Sequence, residues 1–322
     1  MNQACLDHNT ESLKLQTSNF SFLHYTAAHL MSFNITIPEV PISADSIFIY
    51  GYFLCVAMLA MVLPLSYYSR KKTPTINWHR KGRVSTDVLN VFDLLGLAIF
   101  FCIYAVFLLD YLTPAEVDEK GNPIQIHITP FILAVGIIVQ LVPPMLVAVM
   151  LRARGVRIRD FLGLDWKHAR YLWVITPGGV ILAYMFLFFI EYHGYSSWLE
   201  EQFGSDAKLQ ETVKTYQEAN AVAVRIMIAI SAILIAPIAE EIVFRGYIYT
   251  TTKRFSGRFF ATLLSSLLFG VVHFNITALI PLIFLAIILA LTYELSGSLW
   301  APISIHALFN ASQILFQEVK FH

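Results

Sequence analysis

Charged side chains are scarce in this chain of 322 residues: Asp, Glu, Lys and Arg make up only 14% of it, where soluble domains average about 25%. That scarcity excludes an ordinary soluble domain. The 57% hydrophobic content and mean hydropathy of +0.63 are instead the composition of a polytopic membrane protein. Neither sign is in surplus, with 22 Lys and Arg against 22 Asp and Glu, which argues against a nucleic-acid partner. Cysteine is sparse too. Cys5, Cys55 and Cys102 have no metal-ligand spacing and two of them sit in apolar runs, so they read as packing residues rather than a disulfide set. No basic start followed by an apolar core and a small-residue cleavage site stands near the beginning, so no signal peptide is expected. Residues 20–33 are weakly apolar but interrupted by His24 and His29, and residues 1–45 read as a poorly ordered or surface-lying tail. No internal repeat is visible.

What the chain has is long apolar runs. A spanning helix needs about 20 mostly apolar residues. Eight stretches qualify: 46–68, 90–112, 130–151, 171–192, 221–250, 259–275, 276–295 and 299–316. The expected fold class is therefore all-α, a polytopic membrane bundle of about eight transmembrane helices. Pro143-Pro144 and Pro177 with Gly178-Gly179 should bend the third and fourth. Basic residues cluster after the first span (Arg70, Lys71, Lys72, Arg80, Lys81, Arg83), the third (Arg152, Arg154, Arg157, Arg159) and the fifth (Lys253, Arg254, Arg258). The positive-inside rule then puts those connections in the cytoplasm and both termini outside it. The connection at 194–220 is acidic and could hold a short surface helix.

Three polar groups interrupt the apolar helices of the last third: Glu240-Glu241 with Arg245, Phe269 to Asn275 around His273, and Ser304 to Asn310 around His306. Ionisable residues in lipid are costly and mark function by default. Glu240 lies 16 residues before Ser256 and His273 17 after it, which puts both about 25 Å from the turn along antiparallel helices. His306, 9 residues past Gly297, would be about 14 Å in, shallower unless its helix starts deeper. Glu241 and Arg245 are i, i+4 with the acid first, the favourable order for an ion pair. Glu240 is turned about 100° away, free to face another helix. The expected division is Glu241–Arg245 for structure and Glu240 for chemistry, a buried acid beside a second acid being suited to taking and returning a proton.

Glu240 and His273 together could deprotonate a water, and His306 and Asn310 could donate hydrogen bonds to the oxyanion of a tetrahedral intermediate. One Glu with two His could alternatively hold Zn²⁺ with an open position, through Glu240, His273 and His306. Taken singly, Asn310 is most simply an interhelical hydrogen bond, and Tyr247 and Tyr249 are as well explained by packing as by a cleft.

Together these residues resemble the CPBP family of CAAX proteases and bacteriocin-processing enzymes, also called Abi proteins. Ala239-Glu240-Glu241-Ile242-Val243-Phe244-Arg245-Gly246 is similar to its EExxxR motif, Phe269 with His273 to FxxxH, and His306 with Asn310 to HxxxN. The likeness covers residues 226–317, with a fainter echo at Phe161-Leu162-Gly163-Leu164. It implies an intramembrane endopeptidase in which Glu240 and His273 activate water while His306 and Asn310 stabilise the oxyanion or help hold metal. Glu241, Arg245 and Phe269 would support them. The chain then divides into the tail at 1–45, N-terminal transmembrane helices at 46–160 and a catalytic core at 161–318. The resemblance implies a peptide or protein substrate, membrane-associated or lipidated, and a multi-pass protein of the bacterial inner membrane. Two other classes compete with a peptidase: a non-catalytic scaffold or bacteriocin-immunity protein, and a proton-coupled transporter, since Glu and His rows also mark proton paths.

Overall fold

In lipid every backbone N–H and C=O must be satisfied within the segment, so long apolar runs fold as helices. The computed structural model describes residues 43–72, 82–114, 129–204 and 222–321, and among them there is no strand. In chain order the main helices are α1 (Ala44–Lys72), α2 (Phe92–Leu112), α3 (Pro130–Arg152), α4 (Ile158–Phe161), α5 (Leu172–Tyr192), α6 (Tyr195–Phe203), α7 (Val222–Ser256), α8 (Arg258–Val271), α9 (Ile276–Ser296) and α10 (Trp300–Phe321). The tail expected at 1–45 lies, but for residues 43–45, outside the described residues. The short helix expected in the acidic connection is α6.

The bundle is a helical membrane architecture, with six described helices long and apolar enough to cross a bilayer. The expectation of eight differs at α8 and α10. With 14 residues, α8 rises about 21 Å, short of the roughly 30 Å hydrocarbon core. α10 has the length, but Ser304, His306, Asn310, Ser312 and Gln313 dilute its apolar character. Pro143, Pro144 and Pro177 all lie inside helices that continue through them.

Two polar bonds set the register of α5 against α10: Thr176 with Ser304 and Tyr184 with Ser312, both 2.6 Å. The second pair is eight residues further along both helices than the first, so α5 and α10 run parallel. The faint Phe161-Leu162-Gly163-Leu164 echo also gains a place. The Leu162 carbonyl accepts the Leu299 N–H at 3.0 Å, tying the turn after α4 to the start of α10. Gly163 has φ +63°, and a Cβ there would collide with the Gly297 carbonyl. Gly246 of α7 is crowded less severely, since a Cβ would press against the tip of the Leu162 side chain. Small residues at these two points let three chain segments meet.

Described residues near three of the basic connections meet at one end of the bundle. There Lys253 donates to both Glu294 carboxylate oxygens at 2.8 Å and to the Val84 carbonyl at 2.7 Å, while Tyr249 donates to Glu294 at 2.8 Å. Asp93 binds Arg154 at 2.6 Å and accepts from the Tyr247 hydroxyl at 3.2 Å. Tyr247 and Tyr249 therefore belong to this buried polar end rather than to a cleft. Lys253→Met is expected to destabilise by roughly 2–3 kcal/mol, below the 3–5 kcal/mol of a fully broken buried pair because Tyr249 still binds Glu294. Thermal unfolding in detergent checks it, with Lys253→Arg recovering part of the loss; an unchanged midpoint for Lys253→Met would refute the reading.

Candidate active site

The site is built on an irregular helix. Within α7 the turns Ser231–Ile235 and Ile242–Tyr249 are π-helical, and Ala236–Glu241 between them is α-helical. Such i→i+5 bulges concentrate at functional sites. Pro237 explains the first. In the π turn the Ala236 N–H bonds to the Ser231 carbonyl, so residue 237 would bond to Ala232, but proline has no N–H to give. The Asn310 side-chain amide from α10 donates to that Ala232 carbonyl at 2.8 Å. The interhelical bond open to Asn310 on its own is thus formed, and its acceptor is the carbonyl Pro237 leaves free.

Glu241 and Arg245 form the expected ion pair, Nη1 to Oε1 at 2.9 Å with both side chains fully buried. Arg245 also donates to the Ala286 carbonyl at 3.1 Å, and its guanidinium lies 4.6 Å from the centre of the Phe269 ring. Glu241 has a second partner that the sequence reading missed. Its Oε1 accepts from His306 Nδ1 at 3.0 Å. Because Arg245 donates to the same oxygen, that oxygen serves as an acceptor, which assigns the His306 proton to Nδ1.

His273 is oriented by the end of its own helix. At the close of α8 the His273 N–H turns to the Gly270 carbonyl at 3.3 Å, a 3₁₀-type bond. That leaves the Phe269 carbonyl for the imidazole, whose Nδ1–H donates to it at 2.6 Å. A carbonyl only accepts, so here too the proton is on Nδ1. Phe269, visible in the sequence only as a motif match, holds the site's centre. Its face is under Arg245, its carbonyl fixes His273, and its ring lies 4.6 Å from His273 and 5.8 Å from His306.

Both imidazoles then turn Nε2, a lone pair in the neutral ring, towards Glu240. Glu240 Oε2 is 4.0 Å from His273 Nε2 and 3.9 Å from His306 Nε2. This oxygen is buried and finds no hydrogen-bond partner among the described residues. The Glu240 and His273 side chains as a whole are about a quarter exposed. Glu240 and His273 are at matching depth, as expected. His306 is not shallower but meets the same carboxylate oxygen. An eight-residue π stretch shortens α7 by only about 3 Å, so the shared depth means that α10 starts deeper than the turn between α7 and α8.

Three acceptors facing one gap call for a donor between them. A water about 2.8 Å from Glu240 Oε2 and from one imidazole Nε2 spans a separation of 3.9–4.0 Å from about 2 Å off the line between them. The Zn²⁺ alternative fits less well. In a tetrahedral site with bonds of about 2.1 Å the ligand atoms stand about 3.4 Å apart, closer than here. Among the described residues no group of three or more His, Cys, Asp or Glu side chains is arranged to hold a metal ion.

Comparison with known proteins reaches the same segment. Residues 222–312 match the family model described as type II CAAX prenyl endopeptidase Rce1-like. A Bacillus subtilis (strain 168) protein named "Putative membrane peptidase YdiL" is 35% identical over 95 residues, which are 30% of this chain and 38% of that relative. No solved structure matches the chain. The matched segment contains all three polar groups, from Glu240-Glu241 through His273 to His306 and Asn310. Residues 222–312 of this helical membrane protein, from the head of α7 to Ser312 of α10, are thus similar to Rce1-like proteins.

Proposed function

We propose that this protein is an intramembrane endopeptidase that hydrolyses a peptide bond with a water activated by Glu240. The observation that carries the reading is the unpartnered Glu240 Oε2 facing two Nε2 lone pairs at 3.9–4.0 Å. The Rce1-like match and the relative's name support it. Water in the gap gives one proton to Glu240 Oε2, is oriented by His273, and its oxygen bonds to the substrate carbonyl carbon. The carbonyl electron pair moves onto oxygen. The C–N bond then breaks as the departing nitrogen takes the proton from Glu240. The second Asn310 amide N–H, and His306 when it carries a proton backed by Glu241, donate to the oxyanion. The substrate is a peptide or protein reaching the site from the membrane, with lipidated C-termini one class to test, and the bacterial inner membrane is the proposed location.

The test compares membrane proteomes of cells carrying the wild-type protein and Glu240→Gln. A cleavage product lost in the variant is expected. A proteome with no junction lost, together with an intact cellular phenotype, would mean a scaffold or immunity protein instead. The donor spacing also predicts that cleavage survives a strong chelator. Loss restored by Zn²⁺ would show that the donors close around an ion.

A further inference from the structure

The turn that carries His273 is strained, and the strain is held from outside the matched domain. Phe274 has φ +47°, the one non-glycine residue at positive φ among the described residues. Glycine or asparagine visits this left-handed region readily, and an aromatic residue does so only where its surroundings impose it. Here the surroundings are two rings. Tyr111 at the end of α2 stacks on Phe274 with centroids 4.8 Å apart and planes 12° apart. Phe48 of α1 meets Phe274 edge-on at 5.9 Å and Tyr111 edge-on at 5.8 Å. Tyr111 is tethered in turn, its hydroxyl donating to Asp45 at the head of α1 at 2.8 Å. Immediately before Phe274 is His273, and immediately after it Asn275 caps α9 by accepting from the Ala278 N–H at 2.9 Å.

We propose that Tyr111 and Phe274 are positioning residues of the proposed peptidase: the α1–α2 aromatic clamp holds Phe274 left-handed and so fixes the His273 ring against Glu240. The inference rests on the peptidase reading for its rate effects, though not for its structural one. If the clamp is released, Phe274 relaxes to negative φ and swings the turn at 272–275. His273 Nε2 then leaves its position 4.0 Å from Glu240 Oε2. A shift of about 1 Å at a reacting centre costs on the order of 100-fold in rate. Phe48 and Tyr111 lie in the N-terminal helices, so part of the site's geometry is set by helices that the Rce1-like segment does not include.

Two readouts test this in the full-length protein. The first needs no substrate: the imidazole ¹³C–¹H signal of His273 in detergent micelles, assigned as the one missing in His273→Gln. The second is cleavage of a synthetic peptide spanning the junction recovered from the proteomic comparison. Tyr111→Ala is expected to move the His273 signal and to lower kcat about 10–100-fold with KM within about 3-fold. Tyr111→Phe keeps the stack and should restore the signal and most of kcat. Phe274→Gly adopts the same backbone freely but lacks the ring, and should lose activity like Tyr111→Ala, which covers the case of a poorly folding alanine variant. A native His273 signal and wild-type kcat in Tyr111→Ala or Phe274→Gly overturns the proposal. If Glu240→Gln cleaves the peptide as fast as wild type, the peptidase reading has failed, and the His273 signal alone decides the clamp.

Discussion

Glu240→Gln is expected to lower kcat for peptide cleavage by about 10³–10⁴-fold while the protein stays folded. The amide keeps the size of the carboxylate but cannot accept a proton from water. At 1.36 kcal/mol per decade the loss is about 4–5 kcal/mol of transition-state stabilisation. The fold should survive because Glu240 makes no hydrogen bond through Oε2 and no ion pair with Arg245, whose partner is Glu241. The substitution even adds a donor where three acceptors face one another, so an unchanged or slightly raised melting temperature accompanies the lost activity. The measurement is turnover of the junction peptide in proteoliposomes beside a thermal melt of the same samples. Turnover within 10-fold of wild type would sink the general-base role, because orientation by His273 alone cannot replace a base. Proton flux that depends on Glu240 without peptide cleavage would point to a transporter.

The sequence exposed the parts of this site whose logic is local. Glu241 and Arg245 sit one helical turn apart, so their pairing follows from spacing alone. Counting residues from one tight turn gave Glu240 and His273 matching depth. What depended on irregular backbone or on packing was hidden. The level at which α10 begins is set by packing, and so counting residues from Gly297 left His306 too shallow. Pro237 was visible, yet its consequence, a carbonyl left for Asn310, appears only once α10 lies alongside. The Glu241–His306 bond and the Tyr111–Phe274 stack join residues 65 and 163 positions apart, and no periodicity reports contacts of that range. The six helices long and apolar enough to span leave out α8, which is short, and α10, which carries polar residues along its length.

Arg245→Met is expected to cost about 3–5 kcal/mol of stability and to remove activity with it. The guanidinium and the Glu241 carboxylate are both fully buried, so losing the cation leaves Glu241 as an uncompensated charge with His306 as its remaining partner. Methionine replaces volume but none of the three functions of Arg245: the ion pair, the bond to the Ala286 carbonyl that ties α7 to α9, and the cation over the Phe269 ring. Lysine keeps the charge without the forked geometry, so Arg245→Lys should recover only part of the loss. The double variant Arg245→Met with Glu241→Gln removes both charges. It should be more stable than Arg245→Met alone, because much of the single-variant cost is the stranded carboxylate and not the lost bond. It should remain poorly active, since His306 has then lost the carboxylate that sets its tautomer. Unfolding in detergent for the four proteins, with cleavage of the junction peptide alongside, separates the two effects. A double variant no more stable than Arg245→Met would place the cost in the Ala286 and Phe269 contacts, and one with wild-type turnover would remove Glu241 from the chemistry.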